Sequence, residues 1–234
     1  MANALSQNAT EIVALSDQHM RGTSTEGEIV MKIVRPSWER SVEMKTWSRG
    51  TQLSLILIKA PARDQGITFL KRNNEIWNWV PSIGRTIKLP PSMMMQSWMG
   101  SDFTNDDLVR ESSIINDFTH RLVGESEVDG MEVHIIDLIP TPDAPVVWGR
   151  VRMYISKTDY LQLRNEFYDE DEELVSFSEG KQIKVMDGRR IPTMIIMTPV
   201  DKPGHQTILE YKSILFNANI SESFFTVQNM RRVQ

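Results

Sequence analysis

Strand-like runs joined by very short turns constrain this chain more than any other feature. From Glu28 onward, EIVMKIVR, RSVEMKTWSR, QLSLILIKA, GITFLKRNNEI, IWNWVP and RTIKLP follow in quick succession. RPSW, SRGT, ARDQG, NN and PSIG separate them, and each is turn chemistry. A parallel crossover needs about a dozen residues or more, so these connections predict sequential antiparallel pairing. Residues 89–113 interrupt the pattern. Strands then resume as DFTHRLVGESEV, MEVHIIDLIP, WGRVRMYIS, YLQLRNEFYD, ELVSFSEG, KQIKVMD, RRIPTMIIMTP and HQTILEYKSILF. Asp129-Gly130 and Asp187-Gly188 are the strongest hairpin signals. SESFF at 221–225 reads as a closing turn or short helix.

Ahead of the strands, Ala9, Ile12, Val13, Ser16 and Met20 recur at helical spacing. Asn8 with Glu11 resembles a capping box and Gly22 a stop, which predicts a helix over 8–21 with residues 1–7 as a frayed start. The whole is read as one mainly β (α+β) domain over 1–234: roughly a dozen antiparallel strands, an N-terminal helix and a short helical insertion. Ser101 or Thr104 is the expected cap of that insertion, ahead of Asp106, Asp107 and Leu108.

Several strands are apolar on both faces. In QLSLILIKA, Leu53, Leu55 and Leu57 oppose Ile56 and Ile58, and TMIIMTP has no polar face. A sheet with one wet face alternates more cleanly. A curved sheet or barrel, covered by a helix or holding an apolar ligand, would explain the difference.

Composition narrows the function. Net charge is -5, with Lys and Arg interspersed among acids, which argues against a nucleic-acid partner. No run approaches the roughly 18 apolar residues of a membrane-spanning helix. Cysteine is absent, which removes thiolate catalysis and disulfides. Ala2-Asn3-Ala4 has the form of a signal-peptidase site, consistent with a leader already removed.

Catalytic constellations are not found. No HExxH, P-loop, GxGxxG or GxSxG motif occurs, so neither a metal nor another cofactor is expected. If Asp129-Gly130 is a two-residue loop, His134 lies opposite Glu125 and His120 opposite Ile139, so these histidines do not converge. The acidic run 169–173 reads as a solvated turn, and Asp106-Asp107 as a helix start.

What stands out instead is LPPSMMMQSWMGSDFTNDDL at 89–108. Methionine is flexible and specifies packing poorly, but it suits surfaces that must adapt to varied apolar ligands. Trp77, Trp79, Phe69 and Phe103 lie close by in sequence. A packed core with a loop laid on it is the plain reading, and an adaptable cavity wall is the functional one.

LIKAPARDQGITFLKRNNEIWNWVPSIGRTIKLPPSMMMQSWMGSDFTNDDL, followed by GRVRMYISKTDYLQLRNEFYDEDEELV, MDGRRIPTMIIM and TILEYKSILFNANISESFFTV, resembles the outer-membrane lipoprotein-sorting proteins of the LolA/LolB-like superfamily. SWMGSDFTNDDL, with P-x-R-D-x-G and W-x-P before it, carries most of the likeness. The resemblance implies an incomplete antiparallel β-barrel of about eleven strands wrapped round an N-terminal helix and a helical lid. It implies a non-enzymatic periplasmic carrier, a monomer that does not span the membrane. The carrier would shield the acyl chains of a lipoprotein or other lipid and exchange them with an inner-membrane exporter or an outer-membrane acceptor. The alternative is an interaction protein with a filled core that docks on such a partner.

On this reading the acyl cavity and lid are formed by Leu55, Leu57, Phe69, Trp77, Trp79, Met93, Met94, Met95, Trp98, Met99 and Phe103, with Asp102 and Asp106 facing water. Lipoprotein carriers hold the lid with a strand arginine. The sequence does not single out its counterpart, although Arg49 lies in a suitable strand.

Overall fold

The structure, a computed structural model, describes residues 2–73, 75–110, 114–142, 144 and 146–233, with side chains from Ala9 onward except 109 and 110. The protein is mainly β: the described residues form thirteen antiparallel strands, an N-terminal helix and a few short helical turns. It divides into two compact units, Met1–Met20 with Ser112–Gln206, and Arg21–Glu111 with Thr207–Gln234.

The first unit holds α1 (Ala2–Arg21) and strands β7 (Phe118–Val128), β8 (Met131–Pro140), β9 (Arg150–Ser156), β10 (Gln162–Tyr168), β11 (Leu174–Met186) and β12 (Arg189–Pro199). They pair in chain order, each with the next, and this run does not close on itself. Helix α1 begins upstream of the expected start, so Asn8 lies within it rather than capping it. The apolar stripe is as read: Ala9, Ile12 and Val13 pack on Phe118, Ile136 and Leu138. Helical spacing lines these side chains up on one face, and burying that face stabilises the helix far more than its intrinsic propensity does.

Both Asx-Gly hairpins form, with Asp129, Gly130, Asp187 and Gly188 all at positive φ. The first sets Glu125 opposite His134, as the two-residue loop requires. Further along, a register shift between Leu122 and Gly124 inserts one residue. His120 therefore pairs with Leu138 rather than Ile139. A bulge of this kind is not legible in composition. ELVSFSEG and KQIKVMD, read as separate strands, are one strand that runs through Gln182 at φ 52°. Thr193 Oγ1 donates to the Gln182 carbonyl at 2.7 Å and holds that kink.

Two local features of this unit carry predictions. A Cβ on Gly149 would lie 2.2 Å from the Asp169 carbonyl oxygen, a backbone atom with no freedom to retreat. Gly149→Ala is expected to cost about 1–3 kcal/mol, as overpacking does, and to lower the thermal midpoint. Separately, His120 is buried between α1 and its own loop: Thr10 Oγ1 lies 3.1 Å from Nδ1 and the Ile114 carbonyl 2.6 Å from Nε2. Burial depresses its pKa, against the opposing effect of the Ile114 hydrogen bond.

The folded chain therefore holds His120 neutral below the pH at which the unfolded chain protonates it. The stability it contributes is fully present above about pH 6.5 and is lost as pH falls below that value. Melting curves at pH 7.5 and pH 5 should show wild type losing more stability on acidification than His120→Gln.

The second unit holds β1 (Ser24–Arg35), β2 (Trp38–Arg49), β3 (Leu53–Ala60), β4 (Thr68–Arg72), β5 (Glu75–Val80), β6 (Arg85–Lys88) and β13 (Gln206–Phe216), ordered β6-β5-β4-β3-β2-β1-β13. This run too is open. Its two faces follow from the register. Leu55 pairs with Trp47 and Leu70, and Leu70 pairs with Trp77, so these side chains share one face. Ile56 pairs with Phe69 and sits on the other.

Both faces are covered, as the doubly apolar strands required. The C-terminal segment crosses the Leu55 face, burying Ile220, Phe225 and Met230 against Trp47, Leu57 and Leu70. It consists of the turn Glu222–Phe224, capped by Ser221, and the helix α2 (Val227–Met230), capped by Thr226. Arg49 Nη1 donates to the Ile220 carbonyl at 2.7 Å, and buried Thr68 Oγ1 donates to the Met230 carbonyl at 2.8 Å. The strand arginine considered as a lid holder thus fixes this strap instead.

Candidate functional site

The other face, with Ile56 and Phe69, lies under the loop 93–108. This loop is tightly built. Ser97 and Thr104 form an antiparallel bridge, and Trp98 N donates to the Phe103 carbonyl at 2.8 Å. The bend between them uses left-handed backbone at Met99, φ 52°, and Gly100, φ 80°. Asn105 Nδ2 donates to the Met93 carbonyl at 2.9 Å, and Asp106 N to the Met94 carbonyl at 3.1 Å. Thr104 then caps the helical turn Asp106–Arg110 reciprocally: Thr104 N donates to Asp107 Oδ2 at 2.8 Å, while Asp107 N donates to Thr104 Oγ1 at 3.1 Å. This is a capping box with Asp in place of Glu. Of the two caps expected, Thr104 is the one used.

Trp98 is the apolar centre of the loop. It is fully buried, and its ring lies 5.2 Å from Phe69 at an interplanar angle of 54°. Its Nε1 is buried without a hydrogen-bond partner among the described residues. Met94 and Phe103 are buried beside it in sequence, Met93 and Met99 are half-buried, and Met95 is exposed.

Two arginines on β1 and β2 hold the loop down. Arg35 Nη1 donates to Asp102 Oδ2 at 2.8 Å, and its Nη2 to the Gly100 carbonyl at 2.9 Å. The side chains of this pair are 9% and 6% exposed, so the ion pair is largely desolvated. Thr207 Oγ1, on β13, donates to the same carboxylate at 2.7 Å. Asp102 and Asp106, expected to face water, are instead buried. A buried carboxylate needs such partners, and Arg35 with Thr207 supplies them for Asp102.

Arg40 Nη1 donates to the Met99 carbonyl at 3.2 Å, and its Nη2 to Asp64 Oδ2 at 2.5 Å. Asp64 belongs to the P-x-R-D-x-G stretch. In that same stretch Gly66, at φ 83°, packs closely on Pro81: a Cβ there would lie 3.1 Å from Pro81 Cγ, closer than an ordinary van der Waals contact. Pro81 closes the W-x-P stretch. Three sequence signatures that look independent are therefore joined, two through Arg40 and two through the Gly66–Pro81 contact.

The residues singled out from sequence fall into two groups. Phe69, Trp98, Met94, Phe103, Met93 and Met99 belong to the latched loop and the sheet face it covers. Leu55, Leu57, Trp77 and Trp79 lie on the opposite face, beneath the C-terminal strap, where Lys88 stands 5.8 Å over Trp77 and Arg231 5.4 Å over Trp79. Met95 points to solvent from the loop.

A family model described as "Uncharacterized protein" matches residues 50–232, most of the chain and all of the loop. The chain belongs to this family. No curated protein matches the sequence. Among solved structures, a DUF1329 family protein from Desulfovibrio piger is similar at TM-score 0.86 and 21% identity, covering 97% of this chain and 99% of that one. An outer membrane lipoprotein-sorting protein domain from Vibrio parahaemolyticus is similar at TM-score 0.85 and 19% identity, covering 97% and 100%. A LolA superfamily protein from Nitrosomonas europaea gives 0.81 and 21%, covering 94% and 98%. The fold is thus that of the LolA-like proteins, as the resemblance implied.

The family match begins after Arg35 and Arg40, so both latching arginines stand outside it. Nothing in their local sequence marks them. They sit on strands far from the loop in sequence, and only the β1–β2 register, with Ile33 opposite Arg40 and Arg35 opposite Trp38, brings them to one end of the sheet.

Proposed function

We propose that the chain is a periplasmic carrier that shields acyl chains of a lipoprotein or other lipid beneath the loop 93–108 during transfer between membranes, and that it is not an enzyme. The observation supporting this reading is the construction of the loop. It is an apolar cover, Met94, Trp98 and Phe103, bonded within itself and held to the sheet by discrete polar contacts at 99–102. Such a unit moves as one body when the Arg35–Asp102 contact opens, and it exposes apolar surface as it does so.

Each buried CH₂ of a bound chain contributes roughly 0.8 kcal/mol, so a cavity that takes even part of an acyl chain offsets the cost of opening. Leu55, Leu57, Trp77 and Trp79 keep a supporting role on this reading, since the strap already occupies their face. Among the described residues no helix is long and apolar enough to cross a membrane.

A fluorescent fatty acid titrated into delipidated protein tests the proposal. Met94→Ser/Met95→Ser/Met99→Ser should weaken uptake about tenfold or more while far-UV circular dichroism is unchanged. Affinity equal to wild type in that variant would contradict it. A second reading draws on the full burial of Trp98 against Phe69: a filled core whose loop docks on an envelope partner. That reading predicts no saturable fatty-acid binding in wild type.

A further inference from the structure

Two segments without a single Asp or Glu, 76–101 and 223–234, meet at the edge of the second unit. Arg231, at the end of the strap, reaches β6: its Nε donates to Thr86 Oγ1 at 3.0 Å, and its guanidinium lies over the Trp79 ring. The acids that flank the two segments, Glu75 and Glu222, are paired with Lys88 and Arg72. Arg85, Arg231 and Arg232 are exposed and have no carboxylate partner among the described residues. In a chain of net charge -5, this rim is positive.

The same rim exposes apolar side chains. Ile83, in the turn Pro81–Ile83 between β5 and β6, is 58% exposed, and Ile87, on β6, is 43% exposed. Trp77 and Trp79 are half-buried just inside, each with a cation over its ring. Arg85 and Ile87 lie on one face of β6, and Thr86 and Lys88 on the other. Because β6 is the edge strand, side chains of both faces border the rim.

Three kinds of partner are attracted to a positive, partly apolar rim. A small anion needs donors that converge on one point, whereas Arg85 and Arg231 lie on opposite faces of the sheet edge. A peptide strand needs a longer edge than the four residues of β6, and Arg and Lys on an edge disfavour strand addition. An anionic bilayer meets neither objection. It is a plane that cations on both faces of an edge can reach. Headgroup phosphates take the guanidinium groups, indoles favour the interfacial depth, and exposed isoleucines gain an apolar boundary.

We infer that the rim formed by the turn 81–84, β6 and the end of the strap docks on an anionic lipid bilayer, with Arg85 and Arg231 at headgroup phosphates and Ile83 in the apolar boundary. The inference deepens the carrier reading and rests on it for the purpose of the contact. β6 runs through Leu89 and Pro90 into the loop 93–108, so a bilayer held here stands at the root of that loop.

The test is co-sedimentation of delipidated full chain with vesicles of phosphatidylcholine, alone or with about 30 mol% phosphatidylglycerol, at about 50 and 300 mM salt. Binding to the anionic vesicles should exceed binding to neutral ones at least about tenfold at the lower salt, and should fall at the higher. Each Lys or Arg at such a surface strengthens binding about fivefold, so Arg85→Gln/Arg231→Gln should bind about tenfold or more weakly. Both side chains are exposed, so the fold is retained. The sequence has no cysteine, so an environment-sensitive dye on Ile83→Cys reports insertion. Its emission should shift blue on anionic vesicles, while the same dye on Leu215→Cys, exposed on β13 and six strands away, should not shift. Equal binding to both vesicles, unchanged binding in the double variant, or equal dye shifts at 83 and 215 would overturn the inference. So would an Ile83 dye that stays in water, which would assign the cations to a soluble acidic partner. Fatty-acid uptake is measured without vesicles and vesicle docking without cargo, so each reading can fail alone.

Discussion

Asp102→Ala is expected to destabilise the protein by about 3–5 kcal/mol, the cost of leaving one member of a buried ion pair uncompensated. Arg35 would keep its bonds to the Val34 and Gly100 carbonyls but lose its countercharge, and Thr207 would lose its acceptor. Asp102→Asn keeps an acceptor in place and should lose less. The double variant Arg35→Met/Asp102→Leu removes both charges and should recover part of the loss, because an apolar pair of similar volume carries no desolvation cost. Urea unfolding measures all three. A loss below about 1 kcal/mol for Asp102→Ala would equate the latch with an ordinary surface pair. Amide exchange over 98–105 adds a local readout: those amides should exchange faster in Asp102→Ala even where global stability is restored by lower temperature.

Trp98 should respond in two opposite ways, depending on what replaces it. Trp98→Ala removes a fully buried ring packed on Phe69 and should cost about 3–5 kcal/mol. Trp98→Phe retains most of that contact and also removes an Nε1 donor that is buried without a partner. An unpaired buried donor costs about 1–3 kcal/mol, which offsets much of the lost ring area. Phenylalanine should therefore lie within about 1 kcal/mol of wild type. A large loss for Trp98→Phe would mean that the indole N–H has a partner, such as an ordered water, whose bond stabilises the loop. Chemical denaturation of both variants under one condition settles the ordering.

How much of this was legible in the sequence differs from element to element. Antiparallel pairing followed from turn length, and the Asx-Gly loops fixed two hairpins to the residue. The helical turn after 104 was legible from its capping residues and acidic first turn, but the choice between Ser101 and Thr104 as its cap needed the structure. The bulge at Val123 was not, since one extra residue in a strand leaves no trace in composition, and it moved His120 by one partner.

The candidate site was found as a stretch but not as a face. Leu55 and Phe69 are both apolar residues near the methionines, yet placing them on opposite sides of the sheet needs the β3–β4 register. Asp102 reads as a solvated acid beside Ser101 and Asn105. Its burial depends on Arg35, distant in sequence, and no local pattern reports such a pair. Arg40 was missed for the same reason, although the P-x-R-D-x-G stretch contains its anchor, Asp64.

The proposed carrier role requires an acyl-binding interior beneath the loop 93–108. Native mass spectrometry of the protein purified from cell envelope, with and without organic extraction, tests it most directly. A carrier should show a population heavier than the polypeptide by the mass of a lipid, lost on extraction and restored by adding fatty acid, with Asp102→Ala releasing it faster than wild type. A single unliganded mass in every preparation, with no adduct after fatty acid is added back, would contradict it.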